Sequence, residues 1–320
     1  MREAAFLKIN SEKWSKYESI IISHQSSSPD QLADLYIEIT DDLSYARTYY
    51  PESKTEQYLN SLASKVHGLI YKNKREKKSR FFSFWTTELP CLFIKYRKKF
   101  FYAATIFLVA GCVGAISAAY DDTFVRLILG DSYVNMTLEN IEKGDPLAVY
   151  KGNQTDMFLA ITVNNIKVAF FTFAFGILFS IGSGYFLFTN GVMLGAFQYF
   201  FYTKGLLLNS FLIIWIHGTL EISAIIIAGA AGIVMGNSIL FPGTYSRVDS
   251  FKKGASEGMK ITVGLVPIFI MAGFLESFVT RYTEMPMLLK IAIIAASFAF
   301  IVFYFLIYPS IKTNYYATKN

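Results

Sequence analysis

The chain has 320 residues, of which 53% are hydrophobic and 17% aromatic, and a formal net charge of +6. The charges are bunched, and several windows of about 18 residues or more carry none, the pattern of membrane spans rather than of a soluble globule. The basic residues sit beside these apolar runs, where they set topology and meet anionic lipid, so no nucleic acid is expected as a partner. The two cysteines, Cys91 and Cys112, have no metal or redox spacing, which excludes a disulfide framework.

Residues 1–80 read as a cytoplasmic helical bundle. Met1–Asn10 has neither a long apolar core nor a small-residue cleavage site, so no cleavable signal peptide is expected. Phe6, Ile9, Trp14, Tyr17 and Ile20 recur at roughly helical spacing. Ser26-Ser27-Ser28-Pro29-Asp30 starts a second helix, with Pro near its first position. Leu32, Leu35, Tyr36, Ile39, Leu43 and Ala46 mark its apolar face, and Pro51 ends it. Tyr58, Leu59, Leu62, Val66, Leu69 and Ile70 mark a third helix, and Lys72–Arg80 is a basic run. Three such helices can bury a small shared core. Asp41, Asp42 and Arg47 read as a solvated face with ordinary ion pairs, and His67 as an ordinary histidine.

Residues 81–99 read as an interfacial segment. Aromatic bulk, including Trp85, precedes Arg97, Lys98 and Lys99, which fits a stretch lying in the lipid headgroup layer. The membrane domain is then expected over 100–311, leaving 312–320 as a cytoplasmic tail.

Phe100–Tyr120 reads as the first span. The segment 121–167 reads as an extracytoplasmic loop, because Asp121, Asp122, Asp131, Glu139, Glu142, Asp145 and Asp156 outnumber Arg126, Lys143, Lys151 and Lys167. The excess of Lys and Arg before the first span puts the N-terminus inside. Val168–Phe188 reads as the second span. Asn190-Gly191 then signals a turn, making 191–202 a short segment that either crosses or re-enters. Leu206–Met235 reads as a long helix closed by Pro242-Gly243, with Gly229 and Gly232 on a small-residue packing face. Arg247, Lys252, Lys253 and Lys260 mark a cytoplasmic loop; Ile261–Val279 crosses outward and Lys290–Tyr308 returns. The expected fold is all-α and polytopic, with about six membrane helices, one of them broken or re-entrant, and both termini cytoplasmic.

Within Leu206–Met235 the only charged residue is Glu221, one helical turn after His217-Gly218. Ionisable groups at membrane depth are costly and normally face protein or water. The other spans are therefore expected to shelter this pair, with Glu276, Asn164, Asn165 and Asn190 as further intramembrane polar residues. Gly191, Gly218, Gly229, Gly232, Pro242 and Gly243 are expected to serve packing or hinges.

Asn164-Asn165 before a span, Asn190-Gly191, His217-Gly218 with Glu221, Ala228 to Gly232, Pro242-Gly243 and Glu276 together resemble the stage II sporulation protein M family. The stretch around Leu35-Tyr36, Asp42-Leu43, Tyr45-Ala46-Arg47 and Tyr58-Leu59-Asn60 is similar to its longer members. The resemblance implies a multispan bacterial membrane protein; the sporulation member recruits peptidoglycan-degrading partners to the engulfing septum.

Three functional readings follow. In the first, the chain is a non-enzymatic scaffold of the bacterial inner membrane whose partners are lipid and other membrane or envelope proteins, with a homodimer compatible with the glycine faces. His217 and Glu221 are then structural, and no cofactor or metal is expected. In the second, the His-Glu pair, Glu276 and a broken segment serve a transporter or channel. In the third, His217, Glu221 and Glu276 ligate a metal in an intramembrane enzyme. The third spacing is His-x-x-x-Glu, not His-Glu-x-x-His, and the other histidines, His24 and His67, lie in the soluble start.

Overall fold

A computed structural model describes residues 1–22, 29–71, 82–148 and 153–317. The expected helix start at Ser26-Ser27-Ser28, the basic run Lys72–Arg80, Phe81, Lys151 and Lys319 lie outside the described residues. The chain divides into two compact units, Met1–Arg80 and Phe81–Asn320. Both are helical, and no strand occurs among the described residues.

The first unit contains helices Glu3–Ile22, Pro29–Tyr49 and Lys54–Tyr71. Residues at helical spacing on each become one core: Phe6 and Trp14 from the first, Leu35, Ile39 and Leu43 from the second, Leu59, Leu62 and Val66 from the third. Trp14 buries its ring and satisfies its indole by donating from Nε1 to Asp42 Oδ2 at 2.8 Å. Glu52, in a left-handed conformation at φ 62°, turns the chain between the second and third helices. Arg47 ties them by donating to Glu56 at 3.2 Å and Asn60 at 3.0 Å. Asp42 and Arg47 thus make contacts between helices of the bundle, while Asp41 is exposed.

In the second unit, five helices are long and apolar enough to cross a membrane: Arg97–Tyr120, Gln154–Ile177, Leu207–Leu240, Arg247–Val279 and Met287–Lys312. This is a polytopic all-α membrane protein. Leu207–Leu240 is the axis. Its 34 residues extend about 50 Å at 1.5 Å per residue, and it packs against each of the other four and against Ile181–Thr203.

The chain path differs from expectation in two places. First, the helix expected to begin at Val168 begins at Gln154, capped by Asn153, whose side chain accepts from the Thr155 N–H at 3.1 Å. Asn164, Asn165 and Lys167 are therefore helical, and the expected loop 121–167 is largely helix, including Phe124–Leu129 and Asp131–Glu142.

Second, the corner lies at Phe175–Ser180, not at Asn190-Gly191. A 3₁₀ turn over Phe175–Ile177 is followed by Phe179 and Ser180 at φ 51° and 69°, and a 23-residue helix, Ile181–Thr203, then runs unbroken through Asn190-Gly191. Asn190 is compatible with helix because its Nδ2 donates to the Phe186 carbonyl one turn back at 2.8 Å. Gly191 is required by packing, since a Cβ there would lie 2.7 Å from the Ala110 Cβ of the neighbouring helix.

The glycine face of the long helix is consumed within the chain. A Cβ on Gly229 would meet the Leu187 side chain at 2.5–2.7 Å, and one on Gly232 would lie 2.8 Å from the Thr172 carbonyl oxygen. Pro242-Gly243 ends the helix as expected of a stop, with Gly243 at φ 64°.

The interfacial segment also differs from a stretch lying on lipid. Leu89, Leu92 and Phe93 are buried in the same core as Ile261, Phe269 and Phe305. Trp85 donates from Nε1 to the Gly264 carbonyl at 3.3 Å, and Tyr304 donates its hydroxyl to the Trp85 carbonyl at 2.7 Å. Lys95 pairs with Glu257 at 2.6 Å, Tyr96 also donates to Glu257, and Lys260 pairs with Glu88 at 3.1 Å. Arg97, Lys98 and Arg247 remain exposed, and Lys99 stands over the Tyr102 ring at 5.7 Å.

Candidate functional site

His217 lies about 15 Å along the long helix from its Leu207 end and is only 4% exposed. Its Nδ1 is 3.0 Å from Thr280 Oγ1. The Thr280 hydroxyl spends its one hydrogen on the Leu275 carbonyl at 3.1 Å, so the imidazole Nδ1–H is the donor to Thr280. That directs Nε2 toward Glu276, whose Oε1 is 3.9 Å away, beyond direct hydrogen-bond range.

Glu276 owes its position to a local departure from α-helix. Leu275–Val279 is a π-helical turn, closed by the Thr280 N–H on the Leu275 carbonyl at 2.8 Å. Such turns are rare inside α-helices and are frequent at functional sites. Here the turn brings Glu276 and Thr280 to two edges of one imidazole. Glu221, one turn after His217 on the long helix, completes the group. One ligand-capable atom from each of His217, Glu221 and Glu276 lies within 4.8 Å of the other two.

A cavity of about 380 Å³ adjoins the cluster. His217, Gly218, Glu221 and Asn190 line it together with apolar side chains such as Phe107 and Ile222. Gly218 keeps this space open; a Cβ there would meet only Ile222 and Ile214 side chains, at ordinary distances of 3.7 and 3.8 Å.

Four of the expected intramembrane polar residues therefore converge: His217, Glu221 and Glu276 in one cluster, and Asn190 on the adjoining cavity. Asn164 and Asn165 do not line it. They sit on the Gln154–Ala174 helix, where Asn165 is buried and accepts weakly from Asn164 at 3.4 Å. Two further residues belong to the site. Thr280 orients His217. Tyr133, from the Asp131–Glu142 helix, reaches the cavity wall. Thr280 follows Glu276 by four positions, which a helical-face reading could have noticed; Tyr133 sits in a polar segment that carried no such signal.

Comparisons with known proteins match two parts of the chain. A family model described as stage II sporulation protein M matches residues 103–281, and one described as a domain of unknown function (DUF8413) matches residues 4–72. No curated protein and no solved structure matches.

Proposed function

The chain belongs to the stage II sporulation protein M family, and on that premise we propose that it is a non-enzymatic scaffold of the bacterial cytoplasmic membrane that holds cell-envelope or peptidoglycan-remodelling partners. The observation that carries this reading is the first unit. It has its own apolar core and its own family match, separate from the membrane unit. A small helical unit attached to a membrane anchor is suited to presenting a surface rather than to transforming a substrate.

In this reading both termini lie in the cytoplasm. With Ile181–Thr203 crossing as well, the helices make six passages. Arg97, Lys98, Lys99, Arg247, Lys252 and Lys253 all fall at the membrane-unit end where Lys95 meets Glu257. Asp121, Asp122, Asp131 and Glu284 fall at the other. The excess of Lys and Arg at one end supports that end as the inner one.

In vivo cross-linking of the full-length protein tests the reading. A discrete envelope partner, lost on deletion of residues 1–71, is the expected result. An unchanged cross-linking pattern after that deletion overturns it. Reporter fusions at each terminus test orientation, and an extracytoplasmic signal at either end would reverse the assignment.

The buried cluster beside a cavity favours a second reading, transport of protons or a small solute. Under that reading, proteoliposomes of the native protein move the species and those of Glu221→Gln do not.

A further inference from the structure

We propose that His217, Glu221 and Glu276 form a binding site for one divalent transition-metal cation of the Zn²⁺ type within the membrane unit. The inference goes beyond the scaffold reading and does not depend on it.

Two helices supply one imidazole nitrogen and two carboxylate oxygens, mutually within 4.8 Å. Around a tetrahedral ion with bonds near 2.1 Å, ligand atoms stand about 3.4 Å apart. His217 Nε2 and Glu276 Oε1, at 3.9 Å, are close to that spacing. Small rotations of the Glu221 and Glu276 side chains, each on a flexible two-carbon stem, complete the closure.

Metal-ligating histidines donate the non-ligating ring N–H to an oxygen, which sets the tautomer and aims the other nitrogen. Thr280 does this here. Its hydroxyl hydrogen is committed to Leu275, so it accepts from His217 Nδ1 and leaves Nε2 facing the carboxylates.

Two carboxylates on adjacent apolar helices repel each other and are poorly solvated. A dication with a neutral imidazole and two carboxylates makes a cluster of zero net charge, which an apolar interior tolerates far better. Among the described residues neither Lys290 nor Arg281 is ion-paired with Glu276, and Lys290 donates to the Thr283 carbonyl at 2.7 Å. The cavity lined by Asn190 and Gly218 offers space for a fourth ligand.

The full-length protein, purified in detergent, stripped with a chelator and exchanged into chelator-free buffer, is loaded with Zn²⁺ alone. Retained metal is counted after gel filtration, and the unfolding temperature is recorded. The expected result is one retained equivalent and a higher unfolding temperature for the loaded protein. Glu221→Gln and Glu276→Gln, each nearly isosteric, lose that equivalent. Thr280→Val keeps all three ligands and weakens binding roughly 10–100-fold. Co²⁺ in place of Zn²⁺ gives a visible absorption band that is absent from both glutamine variants. If the native protein retains no metal, or if both glutamine variants retain it equally, the inference is overturned; the cluster is then a proton-sharing network, or any bound ion is held elsewhere. If one glutamine variant fails to fold, the other variant and the Co²⁺ spectrum of the native protein decide.

Discussion

His217 and Thr280 are 63 positions apart in the chain, yet His217 Nδ1 and Thr280 Oγ1 lie 3.0 Å apart. This contact joins the long axial helix to the π turn that carries Glu276, and it determines which edge of the imidazole faces the carboxylates.

Thr280→Val tests the contact directly. Valine keeps the shape and removes the acceptor, leaving a buried N–H without its partner. The expected cost is about 1–3 kcal/mol in thermal or denaturant unfolding of the purified protein. Thr280→Ser keeps the hydroxyl and is expected to recover most of the loss. Equal losses in the two variants would remove the hydrogen bond from the account.

Two glycines on the same helix should behave oppositely. A Cβ at Gly232 would lie 2.8 and 2.9 Å from the Thr172 and Phe173 carbonyl oxygens. Gly232→Ala is therefore expected to force the helices apart and cost about 1–3 kcal/mol or more. At Gly218 the nearest atoms are 3.7 and 3.8 Å away, so Gly218→Ala is expected to be neutral, or stabilising by up to about 1 kcal/mol through helix propensity. Unfolding temperatures of the two variants in one detergent distinguish these outcomes.

Glu257 anchors the C-terminal end of the Leu89–Lys95 helix. It accepts from Lys95 at 2.6 Å and from the Tyr96 hydroxyl. Lys95 is 43% exposed, so its ion pair contributes only about 0–1 kcal/mol. The half-buried tyrosine hydroxyl matters more. Glu257→Ala is expected to raise amide exchange across 89–95 and to cost about 1–3 kcal/mol; Glu257→Gln, which retains an acceptor, should cost less. Exchange rates over 89–95 that do not change in Glu257→Ala would show that apolar packing alone holds the segment.

The first unit should loosen at high pH through Tyr17. Burial, reinforced by its hydrogen bond to Glu38 and the charge of that carboxylate, pushes the phenol up from 10.0 to about 12. The folded-state value is raised, so the neutral phenol stabilises the fold. The contribution is complete below about pH 10 and is lost as pH rises through about 12. Amide exchange over residues 3–22 and 31–49 of the full-length protein should therefore accelerate across this window more than base catalysis alone requires. Tyr17→Phe, which has no phenol to ionise, should show a shallower dependence.

Much of the architecture was legible along the chain because the governing quantities are local. Leu35, Ile39 and Leu43 lie on one face by period alone, and all are buried. The uncharged stretch around His217 and Glu221 announced a sheltered pair for the same reason. The corner at Phe175–Ser180 was not legible. It interrupts an apolar run with no proline, and its left-handed residues are Phe179 and Ser180, types that ordinarily avoid that conformation. Asn190-Gly191 misled in the opposite sense: a turn-forming pair is held in helix because a neighbouring helix leaves room only for glycine at 191.

The sequence by itself determined which segments leave water and which faces are apolar, since transfer from water and helical period depend on each residue and its near neighbours. Only the tertiary structure decided that Glu276 and Thr280 meet His217. That meeting depends on how far helices distant in the chain approach and rotate, through glycine contacts and one π turn, and no local stretch carries that information.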